Sequence, residues 1–518
     1  MRIGKHLALI LLFLTLLVQV KAQIKPASEQ DKYPKREFRG VWVATVVNID
    51  WPSSVGLGTQ KQKDQLIKIL DFHQQSNMNA IMFQVRPAAD AFYAKSREPW
   101  SRWITGKQGQ APQPFYDPLE FAVTEAHKRG MELHAWVNPY RATFDNNYVN
   151  IAPNHPTRTH PEWFFVYGGQ KLFNPGLPEV REYIVQVILD IVKNYDVDGI
   201  HMDDYFYPYL IAGQKLQDAG TYAQYGEKFE DINDWRRDNV SQLIKMVGDS
   251  IHKYKPNMKW GVSPRGIWRN EKEDPEGSET NGGASYSENY ADTRKWMKEG
   301  WIDYINPQIY WQIGNRSAGF NVLLNWWSNN TYGRHLYIGQ APYRIAESHS
   351  PAFKNKAELP NQVKLTRENR RVQGSIYFSS NSLTSNLGSF TDSLRENYYR
   401  HPALPPVMLW RDSIAPNTPK QLVGLINDKG VTLTWQPPTE ARDREPVFGY
   451  VVYRFNGNEM INTNSAEHIL FIKYNTEPLL LDNTVEKGKK YIYVVTAIDK
   501  MKNESEHSEP YTVIMPLL

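Results

Sequence analysis

The chain has 518 residues, of which 41% are hydrophobic and 22% charged, with a formal net charge of +4. That composition excludes a disordered chain, and charge without runs of like sign argues against a nucleic-acid surface. Cysteine is absent, which excludes disulfides, thiolate metal sites and a lipid-modified N-terminal cysteine, so stability must come from the cores of two or more domains.

At the N-terminus, Arg2, Lys5 and His6 precede an apolar run from Leu7 to Val20, and Val20-Lys21-Ala22 resembles a small-x-small cleavage site. Residues 1–22 therefore read as an export signal, which places the mature chain outside the cytoplasm of a bacterium, in the periplasm or beyond. The run is short for a membrane span, and no stable membrane insertion is expected after cleavage.

Strand-like and helix-like segments then alternate. "FRGVWVAT" leads through a helical stretch with Leu66, Ile69 and Leu70 to "NAIMFQVRP". In "YDPLEFAVTEAHKRG", Asp117 is placed to cap a helix, with Pro118 in its first turn, Glu120 completing a capping box and Gly130 ending it. "MELHAWVNP" is the third strand. A helix carrying Val180, Ile184, Val187, Ile188 and Ile191 at helical spacing leads to "VDGIHMDD", the fourth. "KWGVSPRG", "DYINPQIYWQ", "HLYIGQAPY" and "GSIYFSSN" come next, each after a helical segment. Eight alternations predict a parallel sheet closed into a (β/α)8 barrel over residues 23–410. The competing doubly wound open sheet lacks a glycine-rich phosphate loop. Residues 411–417 read as a Pro- and Asn-containing linker. Residues 418–518 carry short alternating runs such as "GVTLTWQPP", "FGYVVYRF" and "KKYIYVVTAID", which predict an all-β, immunoglobulin-like sandwich. Trp435, "GYVVYR" and Tyr491/Tyr493 resemble those of a fibronectin type III module, a candidate for contact with protein or glycan.

In a barrel, successive strand residues alternate between the helix layer and the interior. In "GIHMDD", Ile200 and Met202 take the helix side, leaving His201 and Asp203 inward, with Asp203 near the C-terminal rim where barrel active sites lie. The same parity puts Gln84 and Arg86, then His134, Trp136 and Asn138, then Tyr304, Asn306, Gln308 and Tyr310 inward. A purely structural barrel interior favours Val, Ile and Leu, so polar groups there require partners or a ligand.

Asp203 and Asp204 are the candidate catalytic pair. Two carboxylates at a barrel mouth suit glycoside hydrolysis, one protonating the leaving oxygen and the other acting as nucleophile, base or orienter. If both approach one ligand, repulsion raises one pKa and keeps that acid protonated. Asp204 also reads as a helix cap or an arginine partner. Asp90, Glu98 and Glu288 are further candidates for a second acid, whereas Asp303 precedes its strand and belongs to the opposite end. Candidate substrate contacts are Trp42, Asp50, Gln84, Arg86, His134, Trp136, Asn138, His201, Tyr205, Arg265, Asn306, Gln308, Tyr310 and Trp311. Trp51, Trp100, Trp103 and Trp268 also fall near strand ends, where flat rings serve either sugars or the core. His201-x-Asp203 lacks zinc-type spacing, so no catalytic metal and no cofactor is expected.

"REFRGVWVATVVNIDWP", "FQVRPAADAFY", "EPWSRWITG", "AWVNPYR", "NPGLPEVREYI", "DGIHMDDYFYPY", "GVSPRGIWRN" and "YINPQIYWQ" together resemble the glycosyl-hydrolase-like 10 family, from about residue 35 to 400. The resemblance implies a bacterial envelope (β/α)8 barrel that hydrolyses a polysaccharide, with peptidoglycan-type N-acetylated strands the first choice. It places the candidate acids on Asp203 and Asp204, with Arg86 and Asp90 in the second-strand motif and Asn306, Gln308 and Tyr310 in the sixth. Arg265 departs from it, standing where an aromatic is expected. The rival reading is a non-catalytic carbohydrate-binding or envelope adaptor protein on a barrel scaffold.

Overall fold

The computed structural model describes residues 33–145 and 150–517. The export signal expected at 1–22 lies outside the described residues. Among those described, no helix is long and apolar enough to cross a membrane.

Eight parallel strands close into a barrel in chain order. They are β1 (Phe38–Val43), β2 (Ala80–Arg86), β3 (Glu132–Val137), β4 (Gly199–Met202), β5 (Lys259–Val262), β6 (Tyr304–Ile305), β7 (His335–Gln340) and β8 (Gly374–Tyr377), with β8 pairing back onto β1. The outer layer includes α1 (Thr59–Gln75), α2 (Pro118–Lys128), α3 (Pro178–Asn194), α4 (Ile232–Tyr254), α5 (Thr293–Lys298), α6 (Phe320–Asn329) and α7 (Glu358–Glu368). Asp117 caps α2 by accepting the N–H groups of Leu119 and Glu120. A small hairpin, Phe164–Tyr167 with Gln170–Phe173, interrupts the alternation after β3. The strand–helix pattern of the sequence does not reveal it.

Side-chain parity is set by the pleat. Val41, Ile81, Phe83, Leu133, Ala135, Ile200 and Val262 join the core between strands and helices. Phe38, Trp42, Met82, Trp136, Tyr304, Tyr337 and Ile376 fill the interior. Arg86 breaks the pattern. The β2–β3 register slips between Gln84 and Arg86, so that Arg86 pairs with Val137, a residue of the helix-facing set. A bulge of this kind re-aims the next side chain, and Arg86 therefore does not point inward as its position in the run predicts.

The C-terminal region is an immunoglobulin-like sandwich. One sheet holds β9 (Lys420–Asn427), β10 (Gly430–Gln436) and β13 (Leu479–Asp482). The other holds β11 (Gly449–Asn456), β12 (Ile469–Lys473), β14 (Lys490–Ile498) and β15 (Tyr511–Ile514). Trp435 and Tyr450 meet edge to face at 5.0 Å in the core between the sheets.

The sandwich closes the floor of the barrel. In the turn after β14, Met501 enters the interior cluster beside Phe38, Tyr304 and Tyr337. The neighbouring Lys502 is fully buried, with its Nζ 3.1 Å from Glu132 Oε1 on β3. Lys259 of β5 reaches the same carboxylate at 2.6 Å. Lys500 lies 3.1 Å from both Asp196 and Asp198. The segment expected as a plain linker is fastened too: Arg411, with Trp410 before it, donates to Asp303 at the start of β6. Gly130, just past α2, has φ 67°, and a Cβ there would collide with the carbonyl of Ile472 in the sandwich. Only glycine meets both demands.

A thioether packed in the barrel floor should behave as a core residue. Met501→Ala is expected to lower unfolding stability by about 2–4 kcal/mol in urea denaturation. A loss under about 0.5 kcal/mol would mean the turn does not plug the barrel.

Candidate active site

Building upward from the floor, polar groups on the inner face of four strands form one hydrogen-bonded file. Glu132 meets His134 Nε2 at 3.2 Å, His134 Nδ1 meets the Tyr304 hydroxyl at 2.9 Å, and that hydroxyl meets His201 Nδ1 at 3.0 Å. Trp42 Nε1 then donates to His201 Nε2 at 3.1 Å. An indole can only donate, so His201 Nε2 is an acceptor and its proton sits on Nδ1. That proton is given to Tyr304, whose own proton goes to His134 Nδ1, leaving the His134 proton on Nε2 for Glu132. Burial pushes both imidazoles down, His134 less because the Glu132 carboxylate beside it favours the charged form, and both are neutral. Burial alone would raise Glu132, but Lys259 and Lys502 hold it below the usual carboxylate range.

Above this file opens a pocket of about 310 Å³ at the C-terminal rim. Trp42 and Trp136 line its base, and Tyr205, Tyr310, Tyr343 and Phe378 add aromatic surface. Gln84 and Gln308 supply amides, Arg141 a cation, and Ala44, Val46 and Ile49 an apolar corner. Asp203 lines this pocket. The strand ends at Met202, so the two acids leave it together and both are buried.

Their surroundings differ. Trp136 Nε1 donates to Asp203 Oδ2 at 3.1 Å, while Oδ1 is buried without a protein partner. Burial, then the adjacent Asp204, pushes Asp203 up to about 7 against the pull of Arg141. Asp204 accepts from the Tyr209 hydroxyl and lies near Gln308 and Arg265. Burial pushes it up to about 6, opposed by its own backbone N–H, Gln308 and the two arginines. One carboxyl thus holds its proton longer than its neighbour.

The other candidates divide. Trp42, Gln84, Trp136, Tyr205, Gln308 and Tyr310 converge on the pocket. Gln84 also accepts from the Thr45 and Val46 N–H groups, holding a loop in which Val47 has φ 54°. His134 and His201 lie below the pocket in the axial file. Asn306 is fully buried, and its amide has no protein partner. Asp50 accepts from Ala44 N–H, Ser379 and Asn381 N–H, clamping the end of β1 to the loop after β8. Asn138 accepts from Arg141 N–H and so shapes the loop that presents Arg141. Trp311 packs over Gly266, away from the pocket lining.

Three candidates for a second acid lie elsewhere. Arg86 and Glu98 form a fully buried two-point ion pair, both contacts 2.6 Å. Tyr183 of α3 donates to Glu98, which places the pair on the helix side. Glu288 is held by Arg265, whose guanidinium lies 4.8 Å over the Tyr209 ring. Asp90 lines a separate small cavity with Trp103 and His155. Of the remaining tryptophans, Trp51 is buried and donates to the Gln62 carbonyl, and Trp268 stacks on Trp326. Trp100 and Trp103 pack on the outer core.

The side chains that strand parity does not reveal are those of Arg141 and Tyr343, whereas Phe378 keeps the inward parity of Ile376. Arg141 and Tyr343 each lie beyond the end of their strand. Arg141 stands 4.3 Å over the Tyr205 ring, a cation–π contact that steadies both at the rim.

A parallel (β/α)8 barrel with a carboxylate pair and an aromatic-lined pocket at its C-terminal rim is the arrangement of a glycosidase-type barrel. The chain belongs to the family described as Glycosyl hydrolase-like 10, which it matches over residues 37–355. It is 45% identical to "Glycosyl hydrolase YngK" of Bacillus subtilis (strain 168), over 92% of this chain and 93% of that one. It is 39% identical to "Glycosyl hydrolase DigH" of Escherichia coli (strain K12), over 69% of this chain and 86% of that one. Among solved structures, the PgaB (BpsB) glycoside hydrolase domain from Bordetella bronchiseptica aligns with 72% of this chain and all of its own, at TM-score 0.47 and 12% identity.

The buried pair separates support from chemistry. Glu98→Ala leaves Arg86 charged and unpaired, and should cost about 3–5 kcal/mol of stability. A variant of unchanged melting temperature that had lost activity would instead make Glu98 a catalytic acid.

Proposed function

We propose that the protein is an exported glycoside hydrolase that cleaves an N-acetylated envelope glycan of the peptidoglycan type. The observation that carries the reading is Asp203: a buried carboxyl in the pocket, raised to about 7 and backed by Asp204 at about 6. Asp203 is the proton donor to the leaving oxygen. Asp204 ionises first and supplies the anion, as nucleophile, base or orienter of the substrate's acetamido group. The aromatic walls suit the apolar faces of sugar rings. The apolar corner of Ala44, Val46 and Ile49 suits an acetamido methyl. Family membership supports the hydrolase class, and the resemblance to envelope proteins supports the substrate and the export.

The non-catalytic reading draws on a single fact: Asp203 lines the pocket, whereas Asp204 is tied to Tyr209. Both readings meet in one experiment on N-acetylglucosamine-containing oligomers. Asp203→Asn should lower turnover by at least about 100-fold while leaving oligomer affinity within about threefold. Wild-type protein that binds the oligomers without cleaving any glycan would favour the binding protein.

The pH profile carries the roles. Asp203 must be protonated, so activity falls as pH rises through about 7. Asp204 must be ionised, so activity falls as pH drops through about 6. A narrow bell between these limbs is expected for kcat/KM. A plateau extending above about pH 9 would remove Asp203 as the acid.

A further inference from the structure

One side chain in the pocket has its orientation fixed by the backbone around it. Gln84 is 1% exposed, on the inner face of β2 beside Trp136 of β3. Its Oε1 accepts the Thr45 N–H at 3.0 Å and the Val46 N–H at 2.9 Å. Backbone N–H groups only donate, so the amide cannot flip: its oxygen faces the loop and its nitrogen faces away from it. Nε2 carries two protons with no acceptor among the described residues, and Gln84 lines the pocket.

The same two bonds hold the apolar corner. Thr45 and Val46 lead into a turn in which Val47 and Asn48 have φ of 54° and 55°. The Asn48 amide fastens that turn by donating to the carbonyls of Pro52 and Trp103. Ala44, Val46 and Ile49 of this segment line the pocket with Gln84. A fixed donor thus stands next to a fixed apolar surface. A sugar hydroxyl would satisfy the donor and leave the apolar surface against water. An acetamido group carries a carbonyl oxygen and a methyl on the same carbon, and meets both.

We propose that Gln84 is the specificity-determining residue for the acetamido group of the glycan. Its Nε2 donates to the acetamido carbonyl, and the methyl lies against Val46 and Ile49. This rests on the reading of the pocket as a glycan site and names the side chain that reads the N-acetyl substituent there. Trp136 stands between Gln84 and Asp203, pairing with Gln84 in the β2–β3 register and donating to Asp203. A sugar ring resting on Trp136 therefore has the acid on one side and the acetamido reader on the other. A de-N-acetylated ring offers an ammonium in place of the carbonyl, so that the Gln84 donor faces another donor. Discrimination comes from that mismatch, with no part for Gln84 in bond cleavage.

The test reads binding by calorimetry in the full-length Asp203→Asn protein, with an N-acetylglucosamine tetramer and with the same tetramer fully de-N-acetylated. Asp203→Asn alone should prefer the N-acetylated tetramer by at least about 10-fold. Adding Gln84→Glu keeps an oxygen to accept from Thr45 and Val46 and replaces the donor by an acceptor. Affinity for the N-acetylated tetramer should then fall at least about 10-fold, while that for the cationic tetramer is kept or raised. Ile49 is exposed, so Ile49→Ser leaves the fold intact, and it should weaken the N-acetylated tetramer alone, by about threefold or more. A preference left unchanged by either variant would overturn the inference and leave the glycan reading standing. Equal affinities of Asp203→Asn for the two tetramers, or no binding of either, would overturn the N-acetylated substrate and the inference together. Because binding is read, a wild-type protein that fails to cleave the tetramer removes the hydrolase reading without touching this result.

Discussion

The hydrogen-bonded file along the barrel axis is the constraint on which the rest of the arrangement depends. It starts at a buried glutamate held by two lysines and ends at an indole in the wall of the pocket. Each link has one allowed direction, because a tryptophan donates only and an ionised carboxylate accepts only. Reversing the His201 tautomer would set its Nε2 proton against the Trp42 indole N–H, and reversing His134 would set a bare Nε2 against the Glu132 carboxylate, each at a cost of about 1–3 kcal/mol. The file thus fixes the rings of His201 and His134 and, with them, the plane of Trp42. A barrel filled with Val and Leu would close the same space without orienting anything at its mouth.

This constraint ties the two domains into one working unit. Lys502 belongs to the sandwich, yet it neutralises a glutamate inside the barrel. It shares that carboxylate with Lys259, while Met501 beside it packs against Phe38 and Tyr337 in the interior. The sandwich is therefore part of the barrel's stability face, opposite the rim where the chemistry lies. A Pro-containing connection suggests a tethered accessory module. What joins the domains is a set of buried ion pairs and a methionine in a hydrophobic socket.

Much of the site is legible from alternation alone. Gln84, Trp136, His201, Asp203 and Tyr304 take the inward face because a strand's period is two and their apolar neighbours must meet the helices. Arg86 escapes this logic, since a one-residue bulge inverts the face of the next residue and leaves no mark in the hydrophobic pattern. Arg141 and Tyr343 escape because they lie three or more residues past the strand, where parity no longer holds. The plug is illegible for a different reason. Met501 and Lys502 sit in a turn of a β-domain, where a methionine and a lysine look ordinary, and their partners lie hundreds of residues away in sequence. Glu288 looks free for catalysis because its arginine partner, Arg265, lies 23 residues away across a loop.

The central claim is that Asp203 stands at the scissile bond of a bound glycan. Crystals of the Asp203→Asn protein soaked with an N-acetylglucosamine oligomer test it most directly. The account predicts sugar density spanning the rim, with a ring against Trp136 and Tyr310 and a glycosidic oxygen within hydrogen-bonding distance of residue 203. Density confined to another surface, with the pocket above Trp42 free of sugar, would contradict it.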